Sequence, residues 1–145
     1  MIDISAKRSV CRSATASGTI HLKKGTIDAI RSKHVKKGDV LEVARVAGIQ
    51  AVKRASELIP HCHPITIEAC EVWFEIAEGC VIVHCRVKAE AKTGVEMEAL
   101  TGVSICLLTI WDMVKSLEKD DQGQYPDTRI TDIIVNEKIK GPGDE

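Results

Sequence analysis

Between Gly94 and Lys119 the chain carries one long run with no proline, and from Val103 to Trp111 it offers almost nothing but core-forming side chains. A helix of that composition must be covered over much of its surface, so the rest of the chain has to supply a layer for it to lie against. The layer is legible on either side. Ile65 to Ile76 alternates through Ile65, Ile67, Ala69, Val72, Phe74 and Ile76 with one break in phase, turns at Glu78-Gly79, and returns through Val81, Val83, Cys85 and Val87, as a β-hairpin does. Ser9 to Leu22 reads as extended, Thr26 to Lys33 as a short helix, and Arg129 to Val135 as a strand behind a polar loop with Gly123 and Pro126. Asp39-Val40-Leu41-Glu42 is a helix start of the acceptor-x-x-Glu type, apolar residues recur at Val40, Val43, Val46, Ala47 and Ala51, and Pro60 closes that segment. Two long helices over an antiparallel sheet predict an α+β sandwich. The segment from Lys140 to Glu145 reads as a mobile tail.

At 145 residues, 44% of them hydrophobic and only 3% aromatic, the chain suits one domain, 1–145, with a core of Val, Ile, Leu and Ala. No uninterrupted apolar run reaches the roughly 18 to 20 residues of a membrane span. The start, Met1-Ile2-Asp3-Ile4-Ser5, has neither the basic residues nor the apolar stretch of a secretory signal, so a cytoplasmic location and no membrane partner are expected. The six cysteines lack paired C-x-x-C spacing and read as reduced and mostly core filler. A net charge of −1 argues against a nucleic-acid partner, but the charge is unevenly spread. Up to Pro60 there are 12 Lys and Arg against 5 acids; from His61 onward there are 8 against 16. That asymmetry is either solvated surface or a pocket in which basic residues of the first part hold an anion near acids of the second, an arrangement suited to a phosphorylated small molecule.

Three constellations can carry chemistry. Glu96 and Glu98, behind Lys92, fall in the first turn of the long helix, where free amide donors favour negative charge; they either stabilise that end or act there. Asp112 and Lys115, three residues apart, share a face that Lys119 continues, and their position beside Trp111 and Met113 predicts that burial perturbs one of them. Glu98 and Asp112 are fourteen residues apart, about 21 Å along a helix. One small substrate does not touch both in one subunit, so if both act, an antiparallel partner subunit brings its Asp112 and Lys115 to Glu98. The third is the proline-bracketed His61-Cys62-His63. In an extended segment the two imidazoles point to one side, a beginning of a metal site with no further ligands to complete it; the alternative is a rigid loop presenting His63 to a substrate.

Taken in order, Gly38-Asp39, Ala47-Gly48-Ile49-Gln50-Ala51 with Lys53-Arg54, Leu58 through Pro64, Lys92 through Thr101, and Asp112-Met113-Val114-Lys115 resemble the MoaC family, the cyclic pyranopterin monophosphate synthases of molybdenum cofactor biosynthesis. The likeness runs from Met1 to about Gly141, and the combined motifs are specific where each alone is not. The resemblance implies a ferredoxin-like fold assembled as a homohexamer, a trimer of dimers, with active sites shared between subunits. It implies a lyase that converts (8S)-3',8-cyclo-7,8-dihydroguanosine 5'-triphosphate, the product of a preceding radical GTP cyclase, into cyclic pyranopterin monophosphate and pyrophosphate. No cofactor is then required, although Mg2+ accompanying the triphosphate is compatible. By motif position, the resemblance makes Asp112 and Lys115 the acid-base pair, with Lys37 essential. It places His61, Cys62, His63, Glu96, Met97 and Glu98 against the substrate and gives Arg12 and Lys138 phosphates to bind; Lys53 and Arg54 are either further phosphate ligands or solvated helix surface. The family pattern carries Leu where this chain has His61, and the loop from Asp120 to Thr128 is longer than in many relatives. Two rival classes stand beside this one: a zinc-dependent hydrolase built on His61 and His63, and a protein that binds a nucleotide without consuming it.

Overall fold

The computed structural model describes residues 1–141. Its elements run β1 (Val10–His21), α1 (Lys24–Ser32), α2 (Val40–Lys53), the one-turn α3 (Ala55–Leu58), β2 (Ala69–Ala77), β3 (Cys80–Ala91), α4 (Glu96–Glu118) and β4 (Arg129–Lys140). The strands form one antiparallel sheet in the order β2-β3-β1-β4. Helix α4 lies on the central strands β1 and β3, and α2 lies beside it towards β2. This is the ferredoxin-like α+β arrangement expected above.

The core follows from two periodicities meeting. Every second residue of β3 from Val81 to Ala91 is buried, and these face Ala99, Val103, Leu107, Ile110 and Val114 of α4, all fully enclosed. Each large aliphatic side chain buried this way contributes about 1.5 to 3 kcal/mol. The two long helices cross where neither has a side chain. A Cβ at Gly48 would run into Cys106 Sγ, and one at Gly102 would stand 2.7 Å from Val52 Cγ2 and 2.9 Å from Cys85 Sγ. The same close approach lets Cys106 Sγ donate to Ala44 O at 3.1 Å.

At the other end of α4, the buried Glu118 carboxylate ties three segments together. It accepts from Lys23 N at 3.1 Å, from the Thr128 hydroxyl at 2.8 Å and from the Thr26 hydroxyl. Helix α1 has no capping side chain of its own, so Glu118 serves its first turn from a distance.

The structure corrects several boundaries. Asp39 caps α2 by accepting from Glu42 N at 3.2 Å as expected, but the helix does not run to Pro60: Arg54 leaves helical geometry and a single turn follows. The hairpin begins at Ala69 rather than Ile65. Ile65 and Ile67 pack on the core as extended chain, and pairing with β3 starts at Ala69 opposite Lys88. Strand β4 continues past Val135 to Lys140, with register shifts opposite β1 and Asp132 at φ 58°. Of the expected tail, Lys140 belongs to β4 and Gly141 N donates to Cys11 O at 2.7 Å; residues 142–145 lie outside the described residues.

All six cysteines are free thiols, but only Cys85 and Cys106 are core filler in the full sense; Cys62, Cys70 and Cys80 are half-buried and Cys11 is exposed. Burial pushes the Cys106 thiol up to about 12, so it stays protonated. Helix α4 is long and apolar enough to cross a membrane by length and composition, yet about half of that apolar stretch is buried inside the fold, against the sheet and α2.

Candidate active site

The expected site residues assemble into two clusters, one at each end of α4. At its start, the loop carrying His61, Cys62 and His63 faces Thr93, Gly94 and the first turn of α4 with Glu96, Met97 and Glu98 across a pocket of about 140 Å³. The four residues between the end of β3 at Ala91 and the start of α4 at Glu96 lead the chain into this turn, and Thr93 and Gly94 from that link line the pocket with it. Glu98 is buried, and burial pushes its carboxyl above the usual range, with the Glu96 charge adding to the effect. Burial likewise raises the Cys62 thiol, followed by the charge of Glu98. His63 Nε2 lies 2.7 Å from Ile2 O. A carbonyl only accepts, so Nε2 carries the proton and, in the neutral ring, Nδ1 is left with its lone pair.

Arg12 and Lys138 join this cluster from the sheet. Lys138 pairs with Ala14 and Lys140 with Arg12, so all three basic residues share the helix-covered face at the end where α4 starts. Lys138 Nζ is 2.6 Å from Glu96 Oε1. Arg12 is buried, its guanidinium directed at the carbonyls of Ala91 and Lys92, each 3.4 Å away. Burial pushes the Glu96 carboxyl up, but Lys138, its own backbone N–H and Arg12 together outweigh it and hold the group below its ordinary value.

The second cluster is open. Lys37, on the loop that Gly38 turns at φ 119°, reaches Asp112 O at 2.9 Å and Asp112 Oδ2 at 3.2 Å, while Lys115 Nζ meets Asp112 Oδ1 at 3.0 Å. The expectation that burial perturbs this pair is corrected: Asp112 lies on the solvent side of α4. Its carboxyl is lowered by its contacts with Lys115 and then Lys37, and Lys115 is raised in turn by Asp112. At neutral pH the group is a lysine acid next to a carboxylate, flanked by a second ammonium. Lys119 does not continue the face, since the helix ends at Glu118.

The two clusters stay apart within one chain. Fourteen residues of continuous helix separate Glu98 from Asp112, about 21 Å. Lys53 and Arg54 are exposed and line neither. Sequence reasoning missed Thr93 and Ile65 in the pocket wall and Lys140 opposite Arg12; strand pairing is the signal that would have found Lys140. Among the described residues no three His, Cys, Asp or Glu side chains converge as a metal site would require, so His61 and His63 remain an incomplete ligand set.

The comparisons with known proteins agree along the whole of this architecture. The MoaC family model matches residues 1–141. The chain is similar to proteins named probable cyclic pyranopterin monophosphate synthase from three archaea. It is 56% identical over 141 residues to that of Archaeoglobus fulgidus and 54% identical over 141 residues to that of Thermococcus kodakarensis, covering 97% of this chain and 90% of each relative. It is 55% identical over 141 residues to that of Methanocorpusculum labreanum, covering 97% of this chain and 89% of the relative.

Proposed function

This chain belongs to the MoaC family, and from that membership we propose that it is a cyclic pyranopterin monophosphate synthase, a lyase of molybdenum cofactor biosynthesis. Its substrate is (8S)-3',8-cyclo-7,8-dihydroguanosine 5'-triphosphate, received from a radical GTP cyclase, and its products are cyclic pyranopterin monophosphate and pyrophosphate. The observation that carries the reading is the full-length likeness to relatives bearing that name, at more than half identity.

The residues suit the chemistry. Opening the purine-derived ring, closing the pyranopterin and forming a cyclic phosphate require proton transfers at several atoms. Lys115 supplies an acid held protonated by Asp112, and Lys37 adds a second cation. Glu98, raised by burial, exchanges a proton nearer neutrality than an ordinary carboxyl does. His63 presents an imidazole of defined tautomer, with His61, Cys62, Glu96 and Met97 forming the rest of the wall. In the phosphate step a substrate hydroxyl oxygen attacks the α-phosphorus, its proton passes to a base, and the P–O bond to the β-phosphate breaks. Arg12 and Lys138 neutralise the departing pyrophosphate, the arginine as a planar fork and the lysine as a mobile charge.

We place the complete site between subunits, in a homohexamer built as a trimer of dimers and acting in the cytoplasm. The separation along α4 supports this: an antiparallel partner sets its Asp112 and Lys115 against the pocket at Glu98. Any magnesium is read as accompanying the triphosphate, and no step is routed through it. Mixing the purified protein with the cyclised intermediate tests the assignment. Pyrophosphate and pyranopterin in equal amounts, insensitive to zinc chelators, are expected; a folded oligomer that binds the intermediate and releases neither would be a binding protein instead.

A further inference from the structure

The Glu96 carboxylate stands in the place of a ligand. Lys138 Nζ meets it at 2.6 Å, and the buried Arg12 adds positive charge from the same sheet face. Oε1 is itself buried, and the Lys138 ammonium beside it is not aligned as a hydrogen-bond donor, so the contact there is chiefly one of charge. Its position depends on Gly94. A Cβ at that residue would stand 2.8 Å from Glu96 Cδ and closer still to both oxygens, and these are the three nearest atoms it would meet. Gly94 is not among the positive-φ glycines, so the backbone does not demand it. What occupies the space of its missing side chain is the folded-back carboxylate.

We propose that Glu96 is a tethered internal anion that closes the Lys138/Arg12 site in the free protein and swings out when a phosphate oxygen of the substrate, or the pyrophosphate product, takes its place. This rests on the reading that Lys138 and Arg12 receive phosphates. Its consequence is selectivity. A tethered group competes at an effective concentration of about millimolar or more, so a weakly charged anion is shut out while a polyphosphate displaces the carboxylate. Pyrophosphate release is assisted by the same group returning.

Titration calorimetry with inorganic pyrophosphate in metal-free buffer tests this on the wild-type oligomer, Glu96→Gln, Gly94→Ala and Lys138→Met. Gly94→Ala is the deciding variant, because it leaves every charge in place and displaces only the flexible end of a side chain. Both Gly94→Ala and Glu96→Gln are expected to bind pyrophosphate about tenfold tighter than wild type, and adding Lys138→Met to either should remove the gain. Unchanged or weaker binding in Gly94→Ala overturns the proposal, as does weaker binding in Glu96→Gln or no binding by any form. Turnover of the cyclised intermediate by the wild type is scored separately. Turnover with unaltered pyrophosphate affinities removes the internal anion and leaves the function; tightened affinities without turnover keep the anion site and remove the function.

Discussion

The two ends of α4 differ in how their ionisable groups are tuned. At the start, Glu98 is buried in a walled pocket and its carboxyl is raised chiefly by loss of water. At the far end, Asp112, Lys115 and Lys37 lie on open surface, and the shifts of Asp112 and Lys115 come from charged neighbours rather than from burial. The first end is a walled pocket. The second is a charged constellation with no wall around it, while Leu108, one turn before Asp112 on α4, is more than half exposed. A catalytic group in open water loses most of its advantage, since water screens it and reaches every intermediate. The difference therefore supports the proposed shared site, in which a second copy of the chain would cover the second end and bring its own pocket.

The largest effect expected from breaking this comparison is on rate. Asp112→Ala or Lys115→Ala should lower turnover by about 10²- to 10⁴-fold, read as pyrophosphate release, with the thermal transition unmoved because both side chains are exposed. Wild-type turnover by either variant would remove that residue from the mechanism. A third carboxylate on the same helix sharpens the contrast. Glu118 is as enclosed as Glu98 but accepts from two hydroxyls and a backbone N–H, so its work is structural. Glu118→Ala should cost about 2 to 4 kcal/mol in urea unfolding, because those donors are left buried and unpaired, and should leave the rate per folded molecule unchanged. A stability loss within error of zero would contradict that role. The smallest effect concerns pH. Asp112 raises Lys115, so Asp112→Asn lowers the lysine towards its ordinary value, and the alkaline limb of the residual rate profile should move to lower pH. A limb that stays put, or moves to higher pH, would show that another group titrates there.

Much of this fold was legible from period and punctuation. The alternation of β3 and the Asp39 cap fell where the pattern placed them, because burial on one face and a free helix N–H impose those residues directly. Strand β4 was read short for a physical reason. Its second half, Asn136-Glu137-Lys138-Ile139-Lys140, is an edge exposed to solvent, and the register shifts against β1 break the alternation that would have announced it. The Asp112–Lys115 pair was readable from helix spacing, but its exposure was not, since the apolar neighbours Trp111 and Met113 lie on other sides of the helix. Contacts across the sheet, such as Lys138 with Glu96, join residues far apart in the chain and leave no local trace; only the resemblance to the MoaC family named Lys138 as a site residue at all.

Subunit complementation tests the central claim, that the two ends of α4 are halves of one site, most directly. Asp112→Ala and His63→Ala proteins, each expected to be inactive alone, are mixed, dissociated and reassembled, with mixed oligomers confirmed by native mass spectrometry. A shared site predicts recovery of about a quarter of the wild-type rate, since half of randomly paired dimers are mixed and each of these carries one intact site. Mixed oligomers with no recovered activity would confine each site to a single chain and contradict the account.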